Sequence, residues 1–128
     1  MTTNVKDMLA SANAVIDTIT VKEAMDFFES DDVVFVDIRD ASERAKNGAI
    51  PGAVHAPRGH LEFFADPVME VHKPIFSSGE SLILYCASGG RSTLATKTLV
   101  DMGISNVAHI AGGFAAWKEA GGAVERTT

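Results

Sequence analysis

Ser81-Leu-Ile-Leu-Tyr85, followed at once by Cys86-Ala-Ser-Gly-Gly-Arg91-Ser92, is an apolar run that breaks into a glycine loop. An apolar run of this length without polar alternation fits a strand covered on both faces of a parallel sheet. At its end stands the only cysteine of the 128-residue chain. Gly89 and Gly90 let the backbone curl tightly after the thiol. The pattern from Leu94 to Met102 predicts a helix behind the loop, with Gly103 as its C-cap. A helix start brings unpaired N–H groups and the positive dipole end to the sulfur, which lowers a thiol pKa from about 8.5. Cys86 is therefore expected to be nucleophilic near neutral pH. The plain alternative is a small buried hydrophobe that finishes a core strand. Turn glycines, an arginine and a helix start close behind the thiol favour the nucleophile.

Outward from this loop, apolar runs alternate with amphipathic stretches, the pattern of a parallel α/β sheet. Thr20-Val-Lys-Glu23 reads as a capping box, with Val21, Ala24, Met25 and Phe28 following at helical spacing. Val33 to Val36 predicts a central strand, and Asp40 to Glu43 opens a short helix that Asn47-Gly48 stops. A short strand is expected around Val54 and His55, another over Val107–Ile110, and a last helix runs from Gly112-Gly113 through Trp117 to Gly121-Gly122. Val5 to Ile16 aligns Met8, Leu9, Ala12, Val15 and Ile16 on one face, predicting a helix packed on the domain rather than on a partner. Pro57 to Gly79 reads as a long connection with one helical turn near Leu61, its phenylalanines serving as core plugs rather than a rim of the site. The domain is expected over residues 19–124, with 1–18 as an N-terminal helical extension.

With 46% hydrophobic residues, the chain can bury the core of one domain. Its 17 acidic against 11 basic residues speak against general affinity for nucleic acid or anionic membrane. No run is long enough for a membrane span, and the start lacks the pattern of a secretion signal. A cytoplasmic location is expected, and a lone cysteine fits a reducing compartment. The sequence sets no oligomeric state. His55, His60, His72 and His109 show no ligand-pair spacing and no companion cysteine, so neither a metal nor a cofactor is expected. His55 and His109 read as structural, and Trp117 as a core anchor.

Cys86-Ala-Ser-Gly-Gly-Arg91-Ser92 resembles the active-site loop of the rhodanese-like sulfurtransferases. Three other segments agree in order: Val33-Val-Phe-Val-Asp37-Ile-Arg39 with Glu43 beyond it, Gly48-Ala-Ile-Pro-Gly-Ala-Val-His55, and Ala111-Gly-Gly-Phe-Ala-Ala-Trp117. The resemblance spans about Ile19 to Gly122, with one small departure from many relatives at Ala49, where histidine is common. It implies a three-layer α/β fold, a central mainly parallel sheet with helices on both faces.

The resemblance also implies the chemistry. Cys86 would attack the outer sulfur of a donor such as thiosulfate, keep it as a persulfide and pass it to cyanide, a thiol or a protein acceptor. N–H groups from Ala87, Ser88, Gly89, Gly90, Arg91 and Ser92 would converge on the terminal sulfur. Arg91 is suited equally to holding the donor's oxyanion and to tying the loop to a carboxylate. Arg58 adds a candidate positive charge, although a surface ion pair is the simpler role. Asp37, Arg39 and Glu43 suit a structural brace at a strand end. Two rivals remain, a persulfide carrier or regulatory binding module of the same fold, and a phosphatase or arsenate reductase. The latter enzymes resemble this chain but use Cys-x5-Arg, whereas four residues separate Cys86 from Arg91.

Overall fold

A computed structural model describes residues 2–127. In chain order the elements are α1 (Val5–Asn13), β1 (Asp17–Ile19), α2 (Val21–Phe27), β2 (Val33–Asp37), α3 (Ala41–Asn47) and β3 (Val54–His55). They continue with α4 (Leu61–Ala65), β4 (Ser81–Tyr85), α5 (Gly90–Asp101), β5 (Val107–Ile110) and α6 (Gly113–Glu119). The five strands form one sheet in the order β1-β5-β4-β2-β3, every pair parallel. β4 thus lies at the centre, as its uninterrupted apolar run requires.

Side chains of β4 alternate between the two faces. Leu82, Leu84 and, beyond the strand, Cys86 join Val36, Ile38, Leu61, Ala95 and Leu99 in one core layer. Ile83 and Tyr85 join Phe35, Ile110, Phe114 and Trp117 in the other. Cys86 is therefore the last inward position of a packed face, carried just past the strand's end.

The helix starts fall into two kinds. α1, α2 and α3 each open on a reciprocal capping box, Asn4 with Asp7, Thr20 with Glu23 and Asp40 with Glu43, so side chains satisfy their first N–H groups. α5 and α6 open instead on left-handed glycines, Gly89 at φ 112° and Gly112 at φ 77°, without a side-chain cap. Their N–H groups are left for the segment between β4 and α5.

Four local features differ from the sequence expectations. The N-terminal helix stops at Asn13, and Asp17–Ile19 forms an edge strand paired with β5. Asp-Thr-Ile gives no sign of a strand in the sequence, because it is covered only on one flank and carries no apolar run. On α1 only Ala12 is buried and Leu9 half-buried, while Met8 and Val15 stay exposed, so a narrow face meets α5. α5 begins at Gly90, a turn before its apolar spacing does, because Gly-Arg-Ser-Thr serves the loop rather than the core. Between Pro57 and Gly79, α4 is flanked by 3-10 turns at Arg58–His60 and Pro74–Ser77. Phe76 is a core plug and Phe64 packs against the core, whereas Phe63 is 51% exposed. No helix among the described residues is long and apolar enough to cross a membrane.

Candidate active site

Cys86 is 1% exposed, and its Sγ faces inward against the first turn of α5. The N–H of Gly89 donates to it at 3.1 Å and that of Ser92 at 3.4 Å, with Ser92 Oγ at 3.5 Å. Burial pushes the thiol up. The Ser92 hydroxyl and the N–H groups of Ser92, Gly89 and Ser88 pull the other way and prevail, holding the thiol below its ordinary value. The thiolate is the nucleophilic form. Gly90 and Arg91, also in that turn, donate their N–H groups to no acceptor among the described residues.

α6 fixes the loop from the other side. Phe114 N–H donates to Cys86 O at 2.8 Å, and Ala115 N–H to Ala87 O at 3.0 Å. This approach requires Gly113, where a Cβ would stand 2.6 Å from Cys86 O and 2.8 Å from Ala87 O. In the sequence Gly112-Gly113 reads only as a helix start. The signal for more is the doubled glycine itself, since one glycine suffices to open a helix.

Arg91 is engaged by a carboxylate. Its Nη1 and Nη2 form a fork with Glu43, at 2.9 and 2.7 Å from the two carboxylate oxygens, tying α5 to α3. This contact holds Glu43 below the usual carboxylate range and raises Arg91. Of its two candidate roles, the geometry is that of the tie.

Asp37, Arg39 and Glu43 do not form one brace. Asp37, fully buried, takes Arg39 Nε at 3.0 Å and Nη2 at 2.8 Å, Arg44 Nε at 3.0 Å and the Tyr85 hydroxyl at 3.0 Å. Arg39 also donates to Gly48 O at 2.8 Å and lies 4.3 Å from the centre of the Phe114 ring. Burial opposes the charge of Arg39, and Asp37 with Tyr85 more than restores it. Burial likewise pushes the Tyr85 hydroxyl well up, so it donates to Asp37 as a neutral phenol. Glu43 stands outside this network. Arg44 and Tyr85 belong to it and were not anticipated, Tyr85 because it ends an otherwise apolar strand.

Arg58 pairs with Glu62 at 2.8 Å and lines a groove with Met8, Ser11, Leu94 and Lys97 between α1 and α5. Its other end nitrogen lies 3.3 Å from Thr98 Oγ1, so its hydrogen bonds go to α4 and α5 and not to Cys86. His109, 3% exposed on β5, places Nδ1 2.9 Å from Ser92 Oγ and Nε2 3.1 Å from Thr18 Oγ1. Beside the loop a shallow cleft is lined by Arg39, Asn47, Ala87, Phe114, Ala115 and Lys118.

Residues 20–120 match the Rhodanese-like domain. A sulfurtransferase of Allochromatium vinosum is 32% identical over 93 residues, covering 73% of this chain and 78% of that protein. The mouse thiosulfate sulfurtransferase/rhodanese-like domain-containing protein 3 is 28% identical over 107 residues, covering 77% of this chain but 66% of its own length. Among solved structures, one from Rhodopseudomonas palustris superimposes with a TM-score of 0.94 at 48% identity, over 98% of this chain and 96% of that one. It is described as a protein of unknown function, possible tyrosine phosphatase.

Proposed function

The chain belongs to the rhodanese-like domain family, and on that premise we propose that it moves a sulfane sulfur from a donor such as thiosulfate to a thiophilic acceptor through a Cys86 persulfide. The observation that carries this reading is the polar set on Sγ, the Gly89 and Ser92 N–H groups that donate to it and the Ser92 hydroxyl 3.5 Å away, in a loop with only four residues between Cys86 and Arg91. In the first half-reaction the Cys86 thiolate attacks the outer sulfur of thiosulfate. The bond from that sulfur to the sulfonate sulfur breaks, and sulfite leaves with the electron pair. In the second, cyanide, a thiolate or a protein acceptor attacks the terminal sulfur and the Cys86 thiolate departs. Between the two steps, N–H groups of Ala87, Ser88, Gly90 and Arg91 share the persulfide charge, as donors do in an oxyanion hole.

The Rhodopseudomonas neighbour, a possible tyrosine phosphatase, favours a second reading, phosphate ester hydrolysis. Loop length and Arg91 weigh against it. A phosphoryl group needs a ring wide enough for its oxygens and a guanidinium turned into that ring, and here both Arg91 nitrogens are on Glu43. The two readings separate in parallel assays of thiosulfate with cyanide or a thiol, and of an aryl phosphate. We expect Cys86-dependent sulfur transfer with phosphate hydrolysis at background. The opposite result would overturn the proposal, and stoichiometric sulfur uptake without small-molecule turnover would assign the carrier role.

A further inference from the structure

From the solvent edge of β1 a continuous hydrogen-bonded line runs inward to the thiol. Thr18 Oγ1 stands 3.1 Å from His109 Nε2, His109 Nδ1 2.9 Å from Ser92 Oγ, and Ser92 Oγ 3.5 Å from Cys86 Sγ. Thr18 is exposed, while Ser92, His109 and Cys86 are buried. We infer that His109 is a positioning residue for Cys86, acting through Ser92 to direct that hydroxyl's single proton toward the sulfur. The inference rests on the sulfur-transfer reading only for its effect on turnover.

The donor count leads there. Ser92 has one hydroxyl proton and three neighbouring acceptors, Sγ, His109 Nδ1 and Gly89 O. Gly89 O also receives the Thr93 hydroxyl at 2.7 Å and the Thr93 N–H at 3.0 Å, both shorter than its 3.2 Å contact with Ser92 Oγ, so it is the weakest competitor for that proton. The choice therefore lies between sulfur and histidine, and the tautomer of His109 makes it. With the proton on Nδ1, His109 donates to Ser92 Oγ, Ser92 donates to the thiolate, and the Thr18 hydroxyl donates to Nε2. With the proton on Nε2, every bond reverses: the thiol donates to Ser92, Ser92 to Nδ1, and Nε2–H to Thr18. Passing from the second arrangement to the first moves the thiol proton to Ser92, the Ser92 proton to Nδ1, the Nε2 proton to Thr18 and the Thr18 proton to water. One proton leaves and a thiolate remains.

Burial keeps His109 from charging, so it acts as a neutral relay with both nitrogens available. The ring is met by Thr18 from β1 and by Ser92 and Thr93 from α5, none of them charged. Arg91, held by Glu43, is raised chiefly by that carboxylate and to a lesser degree by Cys86. A chain of donors ending on an ion is polarised toward it, so the arrangement favours the thiolate.

The test is the pH midpoint of Cys86 alkylation by iodoacetamide, read without any sulfur donor and so independent of whether sulfur transfer is the reaction. His109→Leu should raise the midpoint and slow alkylation at pH 7 by about threefold or more. His109→Asn keeps an amide donor at the Nδ1 position and should stay near wild type. His109→Gln, which reaches only the Nε2 position, should behave as His109→Leu. A role in core filling predicts the reverse order, since Asn leaves the larger void. In a Ser92→Ala background the substitutions at residue 109 should have no further effect. Should His109→Leu fail to fold, the comparison of Asn with Gln decides. A folded His109→Leu with the wild-type midpoint, equal shifts in Asn and Gln, or an undiminished effect without Ser92 would each overturn the inference.

Discussion

Asp37 of β2 and Tyr85 of β4 lie opposite one another in the sheet, so the two central strands end side by side and the residues at these ends can be compared directly. At the end of β2, polar groups close on themselves. Asp37 takes Arg39, Arg44 and the Tyr85 hydroxyl, and the spare Arg39 donor goes to Gly48 O. Just past β4, polar groups converge on one atom, Cys86 Sγ. The Gly89 and Ser92 N–H groups donate to Sγ, the Ser92 hydroxyl lies 3.5 Å from it, and α6 anchors the loop carbonyls behind it. Paired charges give the first end rigidity. Donors without a matching anion give the second its capacity to hold one, the thiolate or a persulfide. The Glu43–Arg91 fork links the two regions, since α3 follows β2 and α5 follows the loop.

Substitutions on the two sides should break this comparison in different measurements. The largest effect belongs to Cys86→Ser, which should lower sulfur transfer by about a thousandfold or more with little change in stability, measured by turnover beside denaturant unfolding. Asp37→Ala should do the opposite. It leaves Arg39 buried without its partner and should cost about 3–5 kcal/mol in the unfolding free energy. The alkylation midpoint of Cys86 in the folded fraction should not move.

Gly113→Ala should come next. Its Cβ meets the carbonyls of Cys86 and Ala87, which belong to the loop backbone, and displacing them should reduce transfer roughly 10- to 100-fold. Gly121→Ala serves as the control, because Gly121 is also left-handed, at φ 84°, yet a Cβ there meets nothing. It should carry only the strain of a left-handed alanine, about 1–2 kcal/mol, and leave transfer intact.

Glu43→Gln should produce the smallest effect, below about 1 kcal/mol, because the fork with Arg91 is partly solvent-exposed. Its signature is in pH. Glu43 titrates lower in the folded state, so its contribution is present above the unfolded value of about 4.3 and is lost as the pH falls through the depressed folded value. The wild type should therefore lose more stability than Glu43→Gln on acidification below about pH 4.3, checked by unfolding at stepped pH.

Strand and helix placement was legible wherever a residue's role is local. The Ser81–Tyr85 run and the Thr20–Glu23 capping box each announce themselves within a few positions. The loop and its cysteine were legible too, because the turn glycines and the thiol are adjacent. Features that depend on distant partners were not. Arg91 meets Glu43 across 48 positions, Tyr85 meets Asp37 across 48, and Thr18 meets His109 across 91. None of those pairings leaves a periodic trace. Asp17–Ile19 was illegible for the same reason, since its place in the sheet is set by β5 rather than by its own residues.

The most direct test is intact mass after incubation with thiosulfate, read before and after adding excess thiol. Wild-type protein should gain the mass of one sulfur atom, lose it to the thiol, and show neither change when Cys86 is replaced by serine. A wild-type protein that stays unmodified with thiosulfate and other sulfane donors, while its folded loop still alkylates at Cys86, would contradict the assignment of that loop as a persulfide site.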